Sequence, residues 1–426
     1  MSTTHDVEDG NVACREDVLV PLIVKRSVSD HDKDELQRKD GGESMGMLLL
    51  STFVAVCGSF AFGTVVGYSA PTQSGITEDL GLSISEGVVS LDIGRLLTGY
   101  GMGLFSYVLM VVLGVSLIFI MGTIVTWRTL ALIGIIPCIV LILGLFIIPE
   151  SPRWLAKGGR KKEFEAALRK LRGKDADILE EAADIQDYLK SLQHLPKAKV
   201  LDLFQRRYLR SLIVGVGLMV FQQFGGANGI GFYVSHVFES AGFPSNVGTI
   251  MYACLQVPIT ALGVILMDRA GRRPLLFISA SGLLLGCLLL GTSFFMKAHE
   301  LSLEWVPIIA LIGIITYVGS FSMGMGAVPW VIMSEIFPLN IKGTAGSFVT
   351  LVSWFGSWAV TFTFNFLMSW SSYGKSKKRT KQTNCLLGIF MIYAAVNALA
   401  ILFVAKVIPE TKGRSLEEIQ TFLNTS

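Results

Sequence analysis

An all-α, polytopic membrane protein is the fold class this sequence predicts, and three observations predict it. Mean hydropathy is +0.57 and only 16% of residues are charged, against roughly a quarter in soluble domains. Separate apolar runs recur at close to 20 residues, the length that crosses a hydrocarbon core of about 30 Å. Two segments, Pro149-Glu150-Ser151-Pro152-Arg153-Trp154 and Pro409-Glu410-Thr411-Lys412-Gly413-Arg414, each close an apolar run and turn at once to charge. The same punctuation used twice marks two related halves. From first apolar residue to Pro-Glu, the first half takes about 105 residues (from Met45) and the second about 199 (from Ser211). The first half is short.

Residues 1–44 are polar, with no apolar core and no small-residue cleavage site, and read as a cytosolic tail rather than a signal peptide. Apolar spans follow at 45–69, 91–125, 130–148, 211–234, 247–267, 275–296, 305–333, 344–367 and 385–408. These give a first transmembrane half at 45–148, a second half of six spans at 211–408, and a cytosolic tail at 409–426. The intervening stretch at 149–210 is charged, with helical periodicity at 161–172 and 176–192, and reads as a solvated cytosolic linker. The run at 91–125 is too long for one simple helix. Crossing once, it places Arg153, Lys157, Arg160, Lys161 and Lys162 outside. Folded as a hairpin turning near 108–112 it keeps them cytosolic, yet Leu109-Met110-Val111-Val112 has no turn chemistry and would sit at membrane depth. Both readings stay open.

Orientation follows from lysine and arginine near span ends. Clusters at 153–162, 206–210, 269–273, Lys342 and 406–414 fall on one side when six spans start inside at Arg210, so both termini are cytosolic. Lys375, Lys377, Lys378, Arg379 and Lys381 disagree, and read as an inserted basic loop or as a contact for an anionic surface. Six dispersed cysteines have no metal or redox spacing and read as small buried packing residues. No nucleophile–base pair, metal cluster or nucleotide loop appears. An enzyme, a cofactor, a bound metal and a nucleic-acid partner therefore find no support. The partners are the lipid bilayer and a small substrate.

Pro149–Trp154, Asp268-Arg269-Ala270-Gly271-Arg272-Arg273, Gln222-Gln223-Phe224-Gly225-Gly226, Pro329-Trp330 with Ser334-Glu335-Ile336-Phe337-Pro338, and Pro409–Arg414 occur in this order. Together they resemble the sugar porter family of the major facilitator superfamily. Gly94-Arg95-Leu96-Leu97-Thr98-Gly99-Tyr100-Gly101-Met102-Gly103 and Trp127-Arg128-Thr129-Leu130 resemble its plant subfamily named for early response to dehydration. The resemblance implies a major facilitator fold of two helical bundles and a monosaccharide substrate, with hexose such as glucose expected and polyols or inositol the alternative. It also implies twelve helices, of which about nine or ten are present in this sequence. The chain jumps at Ser90/Leu91 from the loop after helix one to helix four, and near Leu109/Met110 into helix five.

Gln222, Gln223 and Asn228 lie in a span interrupted by Gly225, Gly226, Gly229 and Gly231. Amides offer donor and acceptor together, which suits a sugar hydroxyl, and glycines permit the broken helix of a midplane transport site. Interhelical bonding on small residues explains the same pattern from spacing alone; the resemblance favours binding. By resemblance Gln256 is another sugar contact. An indole presents an apolar face and an N–H edge, so Trp330 is read as gate and floor of the site, with Trp354 a weaker parallel to it. Arg153, Asp268, Arg272, Arg273, Glu335, Glu410 and Arg414 are, by resemblance, a charge lock between the halves. Arg95 is an intramembrane charge, a functional mark by default. Proton-coupled members pair it with an aspartate in helix one, where this chain has Phe62-Gly63-Thr64-Val65. Val65 removes that carboxylate and favours facilitated transport. Close helix packing explains Gly99, Gly101 and Gly103 better than a phosphate loop.

The expected function is facilitative monosaccharide transport by alternating access. The alternative is a transport-inactive truncated paralogue, splice product or misassembled gene sequence. Glu16-Asp17 ahead of Leu22-Ile23 resembles an acidic dileucine signal, which favours the vacuolar membrane over the plasma membrane.

Overall fold

A computed structural model describes residues 41–79, 108–172, 178–193, 200–338, 340–372, 378–413 and 418–419. The described residues are helical with short turns and contain no strand. Residues 1–40, Arg95 with its glycine run, Arg414, and Lys375 and Lys377 of the basic loop lie outside them.

The first half contributes α1 (Gly41–Asp79), α2 (Val108–Gly122) and α3 (Trp127–Ile147). Of the two open readings of 91–125, a hairpin turning within 109–112 is excluded, because these residues are interior to α2, while 91–107 lie outside the described residues. An apolar run without turn residues satisfies its backbone most cheaply as helix at membrane depth. Thr126 accepts the backbone N–H of Thr129 and starts α3. α1 and α2 cross at backbone contact: a Cβ on Gly63 would strike the Val111 carbonyl, and one on Gly114 the Phe60 carbonyl. Small residues at the crossing are what lets helices associate in lipid. α3 buries little beyond Leu130 and Gly144, and its remaining apolar surface faces outward.

α4 (Pro152–Lys157), α5 (Lys161–Arg172) and α6 (Leu179–Gln193) follow. The expected solvated linker is a small packed layer, because Leu155, Phe164, Ala167, Leu168 and Ile178 form their own buried cluster. Lys170 Nζ donates to the Ile147 carbonyl at 3.2 Å, tying this layer to the end of α3.

The second half comprises α7 (Arg206–Phe224), α8 (Ala227–Ala241), α9 (Ser245–Ala270), α10 (Arg272–Ala298), α11 (Val306–Ser320), a π-turn (Phe321–Met325), α12 (Val328–Ile336), α13 (Lys342–Ser372) and α14 (Lys378–Val407). The span expected whole at 305–333 is therefore α11, the π-turn and α12. One core runs through these helices; Phe294 of α10 and Phe390 of α14 stack within it at 5.7 Å. Val115 and Phe119 of α2 enter the same core, and Phe119 meets Tyr252 of α9 at 5.3 Å. Among the described residues seven helices are long and apolar enough to cross a membrane, with shorter apolar stretches at Leu49–Thr64 and Leu109–Gly122. The cysteine expectation holds in part: Cys287 is buried, while Cys254 is exposed.

Candidate functional site

The Gly225-Gly226 pair decides the local geometry of the site. Gly226 has φ +102°, open to glycine at little cost, and its missing side chain leaves room for the Tyr393 ring. α7 therefore ends at Phe224 and α8 restarts at Ala227. Gln222 and Gln223 stand on one side of the break and Asn228 on the other. Gln222 Nε2 donates to the carbonyls of Met325 (2.6 Å) and Gly326 (3.2 Å), which the π-turn and the turn after it present. Gln223 Nε2 donates to Ser353 Oγ at 2.9 Å. Asn228 Nδ2 donates across the break to Gln223 Oε1, and to Ser357 Oγ at 2.8 Å.

A cavity of about 470 Å³ opens beside these amides, within the ordinary range of small-molecule sites. All of the residues read as substrate contacts line it: Gln222, Gln223, Asn228, Gln256, Trp330 and Trp354. They come from five separate elements, α7, α8, α9, α12 and α13. The opposite wall is apolar and belongs to the first half: Phe62 of α1 with Val111, Val112, Val115 and Phe119 of α2. Phe62 meets the Trp354 ring edge-on at 6.4 Å, a direct contact between the halves.

Two polar atoms on the cavity lining are buried and unpartnered, Gln256 Oε1 and Ser322 Oγ. A buried polar group without a partner costs free energy, and a hydroxylated molecule in the cavity would remove that cost. Ser322 was not singled out from the sequence, nor were Ser353 and Ser357. Serines on a glycine-rich or aromatic helix carry no distinguishing spacing, and only the fold turns them inward.

The charged residues form a different constellation. Arg272 Nη2 donates to Glu335 Oε1 at 2.8 Å, and Thr411 Oγ1 donates to Glu335 Oε2 at 2.7 Å. Glu410 accepts the backbone N–H groups of Arg272 (3.0 Å), Arg273 (3.1 Å), Thr411 (3.1 Å) and Lys412 (3.0 Å). Two cations at a helix N-terminus oppose its dipole. The Glu410 carboxylate caps α10 from another segment and offsets them. Burial pushes the Glu410 carboxyl upward, but the four N–H donors outweigh it and hold it below the ordinary value of 4.5.

Of the residues read as a lock between the halves, those described bond within the second half or stand apart. Arg272, Arg273, Glu335 and Glu410 all belong to the second half, and Arg153 stands exposed at the start of α4. Among the described residues no ion pair joins the halves. Glu150, which stands in the first half where Glu410 stands in the second, is exposed. Asp268 stands in the last turn of α9, its side chain outside the described residues, and Val65 lies on α1. No group able to hold a metal ion occurs among the described residues.

Comparison with known proteins decides the family. Residues 108–423 match the model of the "Sugar (and other) transporter" family, beginning at the residue where α2 begins. This chain belongs to the sugar transporter family. The Arabidopsis thaliana protein Sugar transporter ERD6-like 7 is 54% identical over 450 positions, covering 89% of this chain and 94% of that one. Arabidopsis Sugar transporter ERD6-like 16 is 49% identical over 489 positions, covering 97% of each. Since 97% of 426 residues is about 413, about 76 positions of that relative face gaps in this chain. The chain is the shorter protein. Among solved structures it is similar to the proton:xylose symporter XylE bound to 6-bromo-6-deoxy-D-glucose, with 26% identity, a TM-score of 0.56, and coverage of 89% of this chain and 87% of that one. The chain is thus a multi-pass integral membrane protein of the sugar porter branch of the major facilitator superfamily, within its ERD6-like subfamily.

Proposed function

We propose that this protein carries a monosaccharide, a hexose such as glucose, across its membrane by facilitated alternating access. The observation that carries the reading is the cavity between the halves, whose amide wall and paired indoles enclose two unpartnered polar atoms. A pyranose has hydroxyls that donate and accept at once, and C–H faces that suit the indoles of Trp330 and Trp354. A hexose analogue bound to a relative of 26% identity agrees with a six-carbon sugar. Polyols are the alternative substrate. Val65 in place of a helix-one carboxylate supports transport without proton coupling by that residue.

In this reading 45–148 and 211–408 are the two moving bodies, with 149–210 between them. The cluster of Arg272, Arg273, Glu335 and Glu410 holds the basic end of the second body rigid while it rocks; Arg153, Asp268 and Arg414 are the further charges that the resemblance adds to it. The vacuolar membrane is the proposed location, on the dileucine-like segment. A transport-inactive form is the second reading, favoured by the positions of ERD6-like 16 that face gaps in this chain.

Flux of radiolabelled glucose into liposomes tests the proposal, with xylose and inositol as competitors. The wild-type chain should exceed empty liposomes, and Gln222→Ala and Trp330→Ala should each raise KM or abolish flux by tenfold or more, each truncation removing about 1–3 kcal/mol of binding. Wild-type uptake no greater than lipid background rejects the carrier reading.

A further inference from the structure

The break between α7 and α8 needs more than glycine to hold it at one angle. Gly225 is buried, and its carbonyl accepts two side-chain donors from distant helices, the Tyr317 hydroxyl of α11 at 3.0 Å and Asn397 Nδ2 of α14 at 3.2 Å. A carbonyl oxygen has two lone pairs, and these two donors fill them where the turn has diverted the helical ladder. Asn397 is fully buried and Tyr317 nearly so. Asn397 Nδ2 is itself steadied by the Tyr393 carbonyl one turn back, at 2.8 Å. The Tyr393 ring packs into the space left by the missing side chain of Gly226.

The position of this clamp matters. Gln223 lies two residues before Gly225 and Asn228 three after it, and they bond to each other across the break. Tyr317 also lines the cavity, so one side chain touches both the cavity and the hinge. A small change in the bend would swing Asn228 away from Gln223 and Ser357.

We propose that Tyr317 and Asn397 are positioning residues of the sugar site: together they hold the Gly225 carbonyl and so fix the angle at which α8 presents Asn228. This rests on the monosaccharide-carrier reading for its effect on sugar, but not for its effect on the hinge. Neither residue needs to touch the substrate through the group it uses on Gly225. Because the bend is held only while both donors grip one acceptor, loss of either should already release it, and the two effects should be less than additive.

Hydrogen–deuterium exchange and liposome flux together test the proposal on the full chain. Tyr317→Phe removes one hydroxyl and keeps the ring; Asn397→Leu removes the amide at similar volume; Ser293→Ala, a buried hydroxyl bonded only within α10, controls for general loosening. Exchange in the peptide 221–231 should quicken at least tenfold in the first two variants and stay unchanged in the third. In flux, KM should rise about five- to tenfold with maximal rate within about twofold of wild type. Should Asn397→Leu fail to fold, Tyr317→Phe alone decides. Unchanged exchange at 221–231 overturns the clamp, and quickened exchange with unchanged KM overturns its role in the site. If the wild type moves no sugar, the carrier reading fails by itself while the exchange result still decides the clamp.

Discussion

At the scale of single residues, the sharpest energetic feature is a carboxylate that caps a helix it does not belong to. Glu410 accepts four backbone N–H groups, two of them the first of α10. Its carboxyl is held below the ordinary 4.5 in the folded protein. A depressed folded value means stability that is present above the unfolded value and is lost as pH falls through the folded one. Thermal stability in detergent should therefore fall on acidification below about pH 4.5 in wild type, and Glu410→Gln should remove that component of the slope. Glu410→Ala should cost about 1 kcal/mol at neutral pH, the value of a lost cap. An identical acid slope in Glu410→Gln would assign the transition to other carboxylates. The segment that signalled the repeat in the sequence is thus a capping device. Its location was legible as an abrupt change from apolar to charged residues. Its partner was not, since Glu410 and Arg272 are separated by 138 positions.

At the scale of elements, the break at Gly225-Gly226 was legible and the π-turn at 321–325 was not, and the contrast is physical. A glycine pair inside an apolar run carries its own conformational signal. The π-turn depends on a side chain from another helix: Ser279 Oγ donates to the Ser320 carbonyl at 2.6 Å and accepts the Met325 N–H at 2.9 Å. No local pattern near Phe321 reports a serine of α10. That serine supports the Met325 peptide whose carbonyl holds Gln222. Ser279→Ala leaves the buried Met325 N–H without its acceptor, at a cost of about 1–3 kcal/mol. We expect a lower melting temperature and a raised KM, with Ser281→Ala, an exposed hydroxyl two residues further along α10, near wild type in both measurements. Equal behaviour of the two serine variants would remove Ser279 from the support of the site.

At the scale of the whole molecule, the amide wall of the cavity is second-half, and among the described residues the first half offers it apolar side chains only. Binding and movement should therefore separate. The second body supplies most of the shared core and its own charge cluster, and holds the predicted sugar contacts in one place. We read the positions of ERD6-like 16 that face gaps in this chain as falling in the first body, and α3 buries little of its surface against the rest. Alternating access asks two bodies to exchange two packed arrangements, and a depleted body has fewer contacts with which to stabilise either. Inserting the first-half segment of ERD6-like 16 that has no counterpart here, at Ser90/Leu91 and Leu109/Met110, should raise liposome flux by at least tenfold. Sugar affinity, read from quenching of the Trp330 and Trp354 fluorescence, should change by less than about threefold, because Gln222, Gln223, Asn228 and Gln256 of the second half already form the amide wall. Flux in the native chain equal to that of the grafted one would mean that three described first-half helices suffice to rock. A large gain in affinity would mean instead that the missing segment contributes to binding.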